Sequence, residues 1–282
     1  MRVFLIRHGE TVDNVAGLYA GVRDSRLTAH GVLQAQRLAA HLTTRVSTIG
    51  PIRHIFSSDL QRAAHTAQAI IDAQTPRDIL VGRPRLRLVK ATDLRERDFR
   101  SAEGKRFGTP RGDAESHAEM HVRADRFIRN HLGPLLCDVS TDSEASIVVV
   151  AHGLILNSVL RALLMRFAPD ELVRLTRSGP GQSPYIAAWG NTGYVEAIVK
   201  AVLPVPTGGL ALPPAAVATE DIQRKPVVSL VVKRVNHLEH LDGLKKTRGG
   251  IGSARFDRRQ TSMDSFLRPV ARTPKPEVRK DS

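Results

Sequence analysis

Apolar positions along the chain follow two periods: short, nearly continuous apolar runs, and longer stretches in which they return every third or fourth residue. RVFLI (2–6) and IVVVA (147–151) have the pattern of strands buried on both faces. IRHIF (52–56) and a β-rich stretch at 85–94 predict two more, and 185–189, 194–202 and 227–234 read as further strands. Between the strands, Val32, Leu33, Ala35, Leu38, Ala39 and Leu42 share one helical face, with Thr28 placed to cap a helix that runs to about Thr43. Asp59 is placed to cap a second helix reaching about Ala73. A third is predicted over 115–136 and a fourth from about Leu154 to Phe167. Pro204, Pro206, Pro213 and Pro214 make 203–226 a loop. Strands alternating with helices predict an α/β fold, a three-layer α/β/α arrangement around a mostly parallel sheet.

The texture changes after His240. GLKKTRGGIGSARFDRRQ is glycine-rich and basic, and RPVARTPKPEVRKDS holds three prolines and few apolar residues. Residues 241–282 therefore read as a disordered basic tail behind a domain spanning 1–240, because they cannot bury enough surface to offset their ordering entropy. The 282 residues carry 42 Lys and Arg against 28 Asp and Glu, a net charge of +14 that asks for an anionic partner. Residues 1–200 and 201–282 each hold +7, so half the excess sits on under a third of the chain. Aromatic residues are only 4% of the total, which argues against a platform for stacked bases and leaves no specific nucleic-acid partner. No apolar run approaches the length of a membrane span, the tail lacks an amphipathic membrane-binding helix, and MRVFLIRHGE is too short an apolar start for a secretory signal. One cysteine, Cys137, excludes an intrachain disulfide and a cysteine-rich metal site. A nuclear or cytoplasmic protein is expected.

Two predicted strands end in histidine followed by glycine: Arg7-His8-Gly9 and His152-Gly153. In open α/β sheets ligands bind beyond the carboxyl ends of the strands, and a helix starting there can turn its free N–H groups toward an anion. Arg62, one turn into the helix after the second strand, reaches the same rim. Two arginines and two histidines there form a pocket for a tetrahedral dianion.

LIRHGET with Asn14, LTAHGVLQA, SSDLQRAAHTA, LRERDF followed by EG, and VVVAHG occur in the order and spacing of the histidine phosphatase (phosphoglycerate mutase-like) superfamily, which residues 2 to about 200 resemble. The resemblance implies that His8 is a nucleophile that becomes phosphorylated, and that Arg7, Arg62 and His152 hold the equatorial phosphoryl oxygens. It makes Glu96 the proton donor to the leaving alkoxide, held protonated by partial burial, with Asp93, Asp98 and Glu103 as competing acids in the same crowded motif. Asn14 matches a phosphate-contacting position, and Thr11 orders its loop. Hydrolysis of a small-molecule or phosphoprotein phosphomonoester is expected over mutase chemistry, because the stretch between Glu96 and His152 is short for a mutase. No cofactor and no metal are called for. Arg26 and Arg100 depart from the family pattern and add charge near the expected mouth, and loops at 16–26, 97–115 and 175–190 are expected to set specificity.

His30, His41, His54, His65, His117, His121, His131, His237 and His240 belong to no motif and read as surface or packing residues; the His117/His121 pair lacks the glutamate of HExxH. In the tail, Gln260, Met263, Phe266 and Leu267 fit the spacing of a peptide that docks on a sliding clamp (PCNA), with leucine in place of the second aromatic. The GGIGSA stretch and the basic tail resemble a fungal branch of the superfamily associated with nuclear transcription factors. A second expectation follows, that of an interaction subunit of a nuclear complex using the fold as a scaffold and the tail as its docking peptide.

Overall fold

A computed structural model describes residues 1–137, 145–176, 186–202 and 227–245. Strand β1 (Arg2–Arg7) is followed by α1 (Val12–Ala16), α2 (Ala29–Thr44) and the single turn α3 (Val46–Ile49). Strand β2 (Ile52–Ser58) feeds α4 (Gln61–Leu80), and β3 (Leu88–Ala91) runs into a tight turn over Thr92–Leu94. Helix α5 (His117–Phe127) widens by one π turn at Ile128–Leu132 and continues as α6 (Gly133–Cys137). Strand β4 (Ser146–Ala151), α7 (Gly153–Phe167), α8 (Pro169–Thr176), β5 (Tyr194–Val202) and β6 (Val227–His237) complete the described chain, which ends beyond a turn at Glu239–Leu241.

The six strands lie in the order β3-β2-β4-β1-β5-β6. The first four are mutually parallel; β5 runs antiparallel to β1, and β6 antiparallel to β5. The two-residue side-chain period of the central strands explains the three layers. Val3 and Leu5 of β1, with Ile147 and Val149 of β4, pack under α5 and α7, where Phe127, Ile155 and Leu160 join them. Phe4 and Ile6, with Val148 and Val150, face α2 and α4 through Leu38, Leu42, Ala67 and Ile70. Both central strands are thus coated on each face, as their uninterrupted apolar runs require.

Five elements differ from the sequence expectation. Residues 186–189 are not a strand; Asn157 on α7 accepts from the amides of Ile186 and Ala187 and donates to the Ala187 carbonyl, doing the work of a neighbouring strand. Helix α4 continues past Ala73 with Pro76 inside it. Its first amide is capped from a distant loop, Asp24 accepting from Gln61 N at 2.8 Å, while Asp59 spends its carboxylate on Arg95. The helix over 115–136 is divided by the π turn. Neither α1 nor α8 was anticipated; α1 forms because Thr11 and Asn14 cap each other's backbone. The loop expected at 203–226 lies outside the described residues, as does 246–282 with Gln260, Met263, Phe266 and Leu267. No described helix is long and apolar enough to cross a membrane.

Candidate active site

Strand register alone brings the two histidines together. β1 and β4 are parallel neighbours with Arg7 opposite Ala151, so His8 and His152 leave the sheet side by side, ring centroids 5.0 Å apart. The His8 amide donates to Ala151 O at 3.0 Å and locks that alignment. Glycine is needed next because the chain turns tightly against another segment: a Cβ on Gly9 would lie 2.5 Å from Gly31 O, and one on Gly31 would lie 2.1 Å from Glu10 O. The Gly9 amide donates to Thr66 Oγ1, which in turn donates to Arg62 O, tying the β1 loop to the first turns of α4.

Hydrogen-bond partners assign the two imidazoles opposite roles. His8 Nδ1 lies 2.7 Å from Gly9 O and must carry its proton to donate there, which leaves Nε2 with a free lone pair. His152 Nδ1 accepts from Arg62 Nε at 3.1 Å, which places the proton on Nε2, a buried donor with no partner among the described residues. Both rings are buried, and both are pushed well below the ordinary histidine pKa, first by burial and then by nearby positive charge, chiefly Arg62. They are neutral at neutral pH.

Arg62 is 1% exposed, and burial lowers its pKa to about 10 despite Glu96, Asp24 and Asp13 nearby. It donates to His152, Gly21 O (2.7 Å) and Arg23 O (2.8 Å), so among the described residues two of its five N–H groups remain for a ligand. Arg7 donates to Trp189 O at 2.6 Å, and its pKa is likewise lowered by burial, with Glu96 opposing. Arg7 Nε and Trp189 Nε1 are buried donors without partners among the described residues. Unpaired buried donors are costly, and these three, one of them on the Arg7 guanidinium, together with Arg62 are what an oxyanion would satisfy.

The four acids of the crowded motif separate cleanly. Asp93 pairs with Arg126, Asp98 accepts from the Arg100 amide, and Glu103, its pKa raised mainly by burial, takes the amides of Val22 and Phe99. Only Glu96 lines the cleft with His8, Arg7 and Arg62. It accepts from the amides of Arg97 (2.9 Å), Leu154 (3.1 Å) and Ile155 (3.2 Å). The α7 N-terminal amides expected to face the anion are thus partly taken by Glu96. Asn14 Oδ1 accepts from Asn191 Nδ2 at 3.0 Å, and Asn191 also donates to His8 O. Asn191 was not singled out from the sequence because its only signal is proximity in space.

The cleft holds about 360 Å³ and is walled by Leu18, Tyr19, Phe99, Phe107, Leu154 and Trp189. Arg111 lies over the Tyr19 and Phe99 rings, 5.0 and 5.7 Å from their centroids, and supplies the mouth with a cation. Arg26 and Arg100 do not line this cleft. Arg100 faces a neighbouring hollow with Asp98, Glu115 and Glu119, and takes the left-handed turn (φ 45°) that glycine would fill without strain. A larger hollow of about 460 Å³ runs along the β2–β3 edge among Arg53, Arg83, Arg85 and Arg87. It lies away from the paired histidines, so chemistry rather than volume selects the site.

The profile of the histidine phosphatase superfamily (branch 1) matches residues 3–180, and the chain belongs to that superfamily. A probable phosphatase of Schizosaccharomyces pombe is 29% identical over 275 residues, 93% of this chain and 78% of that protein. A probable phosphoglycerate mutase of Proteus mirabilis is 34% identical over 175 residues, 58% of this chain and 75% of the relative. Among solved structures, a mycobacterial glucosyl-3-phosphoglycerate phosphatase superposes with a TM-score of 0.55 at 18% identity, covering 83% of this chain and 98% of its own. The phosphoserine phosphatase of Entamoeba histolytica superposes at 0.51 with 22% identity, covering 85% and 98%. The two structures share the fold. Superfamily membership makes the chain a phosphatase or mutase.

Proposed function

We propose that the protein hydrolyses a small-molecule phosphomonoester through a phosphohistidine on His8. The observation that carries the reading is the adjacent pair of imidazoles with complementary tautomers, one leaving its lone pair at Nε2 and the other its proton at Nε2, close to two arginines. In the first step the His8 Nε2 lone pair forms the P–N bond as the P–O ester bond breaks in line. Glu96 gives its proton to the departing alkoxide. In the second step water attacks phosphorus, Glu96 takes a proton from it, and the P–N electrons return to His8. Arg7, Arg62 and His152 Nε2–H stabilise the equatorial oxygens in both steps from fixed positions, with Asn14 at the edge of the cleft.

Hydrolysis rather than mutase transfer is supported by the short stretch between Glu96 and His152, and by a mouth where Phe107 is 58% exposed. A small substrate is favoured over a phosphoprotein because His8 is 4% exposed at the base of the cleft. The aromatic wall suits an aryl phosphate as assay substrate. His8→Ala should lower its turnover by about 10³-fold or more while the circular dichroism spectrum is kept. Undiminished turnover removes His8 as the nucleophile.

A further inference from the structure

A second group of histidines, unused by the phosphoryl site, meets on the antiparallel side of the sheet. His41 lies on α2, His237 closes β6, and Glu239 and His240 belong to the turn that follows. One ligand atom each from His41, His237 and Glu239 all lie within 4.8 Å of one another. His237 Nε2 is 2.9 Å from Glu239 Oε2, and the His41 ring stands 6.1 Å from that of His237 and 5.8 Å from that of His240. His240 is 6% exposed; its Nε2 meets Thr192 Oγ1 at 2.9 Å, and its buried Nδ1 has no partner among the described residues.

We propose that His41, His237 and Glu239 bind a divalent transition-metal ion, with zinc as the best fit, against the packed ring of His240. Two imidazoles and a carboxylate form a ligand set that zinc accepts, water taking the remaining position. Zinc-bound nitrogens sit about 2.0–2.1 Å from the metal, hence roughly 3.3 Å from each other in a tetrahedron. Modest side-chain rotations close the gap from 4.8 Å, since Glu239 is largely exposed and His237 lies at the surface end of its strand. The nearest competing cation is Arg234, 3.0 Å from His237 Nε2 and 3.7 Å from Glu239. It has a second carboxylate to keep, buried Glu196, at 3.4 Å. Arg45 is held by Glu196 as well, at 2.9 Å. Binding would cross-link α2 to the end of β6, far apart in the chain, and so stabilise the fold.

Full-length protein without an affinity tag, stripped by a chelator, is titrated with zinc chloride in a calorimeter and melted with and without the metal. One zinc per chain and a rise in Tm of several degrees are expected. Glu239→Gln, a change at an exposed position, and His41→Ala, which leaves the Tyr194 hydroxyl bonded to Arg45 at 2.9 Å, should each weaken binding at least about tenfold and abolish the Tm gain. Both variants should keep wild-type aryl-phosphate turnover, and His8→Ala should keep zinc. No zinc uptake, uptake unchanged in both cluster variants, or uptake lost with His8→Ala would each overturn the proposal.

Discussion

His8 and His152 stand 5.0 Å apart, ring to ring, close to the charges of Arg7 and Arg62, whereas His41 and His237 converge beside Glu239. The side chains are the same in both places, and their neighbours reverse the affinity. In the first group the guanidinium groups of Arg7 and buried Arg62, with N–H donors that have no partner among the described residues, make a site that favours an anion. In the second, a carboxylate meets imidazole nitrogens, which suits a cation. The backbone differs too. The first pair leaves two parallel strands at one register position, so its spacing is fixed by the sheet; the second is assembled from a helix, a strand end and a turn.

The largest way to break this contrast, after loss of His8 itself, is to remove the charge that makes the first group an anion site. Arg62→Ala should lower kcat/KM for an aryl phosphate by about 10²–10³-fold, since it deletes a buried transition-state donor and frees the His152 tautomer. Steady-state kinetics check this, and the same variant should still take up zinc. Loss of zinc binding in Arg62→Ala would show that the two groups are not independent.

Acid sharpens the contrast next. The folded pKa values of His8 and His152 lie well below the ordinary value near 6.5, so both stay neutral in the folded chain while the unfolded chain takes up protons. Stability should therefore be fully present above about pH 6.5 and fall as pH drops toward the lowered folded values, by up to about 1.4 kcal/mol per pH unit for each ring. Urea melts between pH 7 and pH 5 should show that slope, and His8→Asn and His152→Asn should each make it shallower. A slope unchanged in both variants would mean that these rings are not the buried neutral bases described.

The smallest effect belongs outside both groups. Arg100→Gly relieves a left-handed backbone at a position that lines neither, and should raise stability by about 1 kcal/mol with turnover unchanged. A change in kinetics would place Arg100 in the working site after all.

The fold and the first group were largely legible along the chain because their signals are local. RVFLI and IVVVA announce central strands, and the histidines that follow them inherit strand register. What the sequence could not show depends on partners far away: Asp24 rather than Asp59 capping α4, Asn157 replacing a strand at 186–187, Glu96 taking the α7 amides, and Arg111 rather than Arg26 or Arg100 lining the mouth. The meeting of His41, His237 and His240 is hidden in the sequence for the same cause, since only the folded chain brings position 41 to the turn after β6.

The central claim is that phosphorus passes through Nε2 of His8. It is tested most directly by rapid-quench labelling with a radiolabelled aryl phosphate, followed by mapping of the label on the chain. An acid-labile, base-stable label on the peptide carrying His8, formed and lost at rates consistent with turnover and absent from His8→Ala, is the predicted result. Full turnover with no label on the protein, or with the label on another residue, would contradict it.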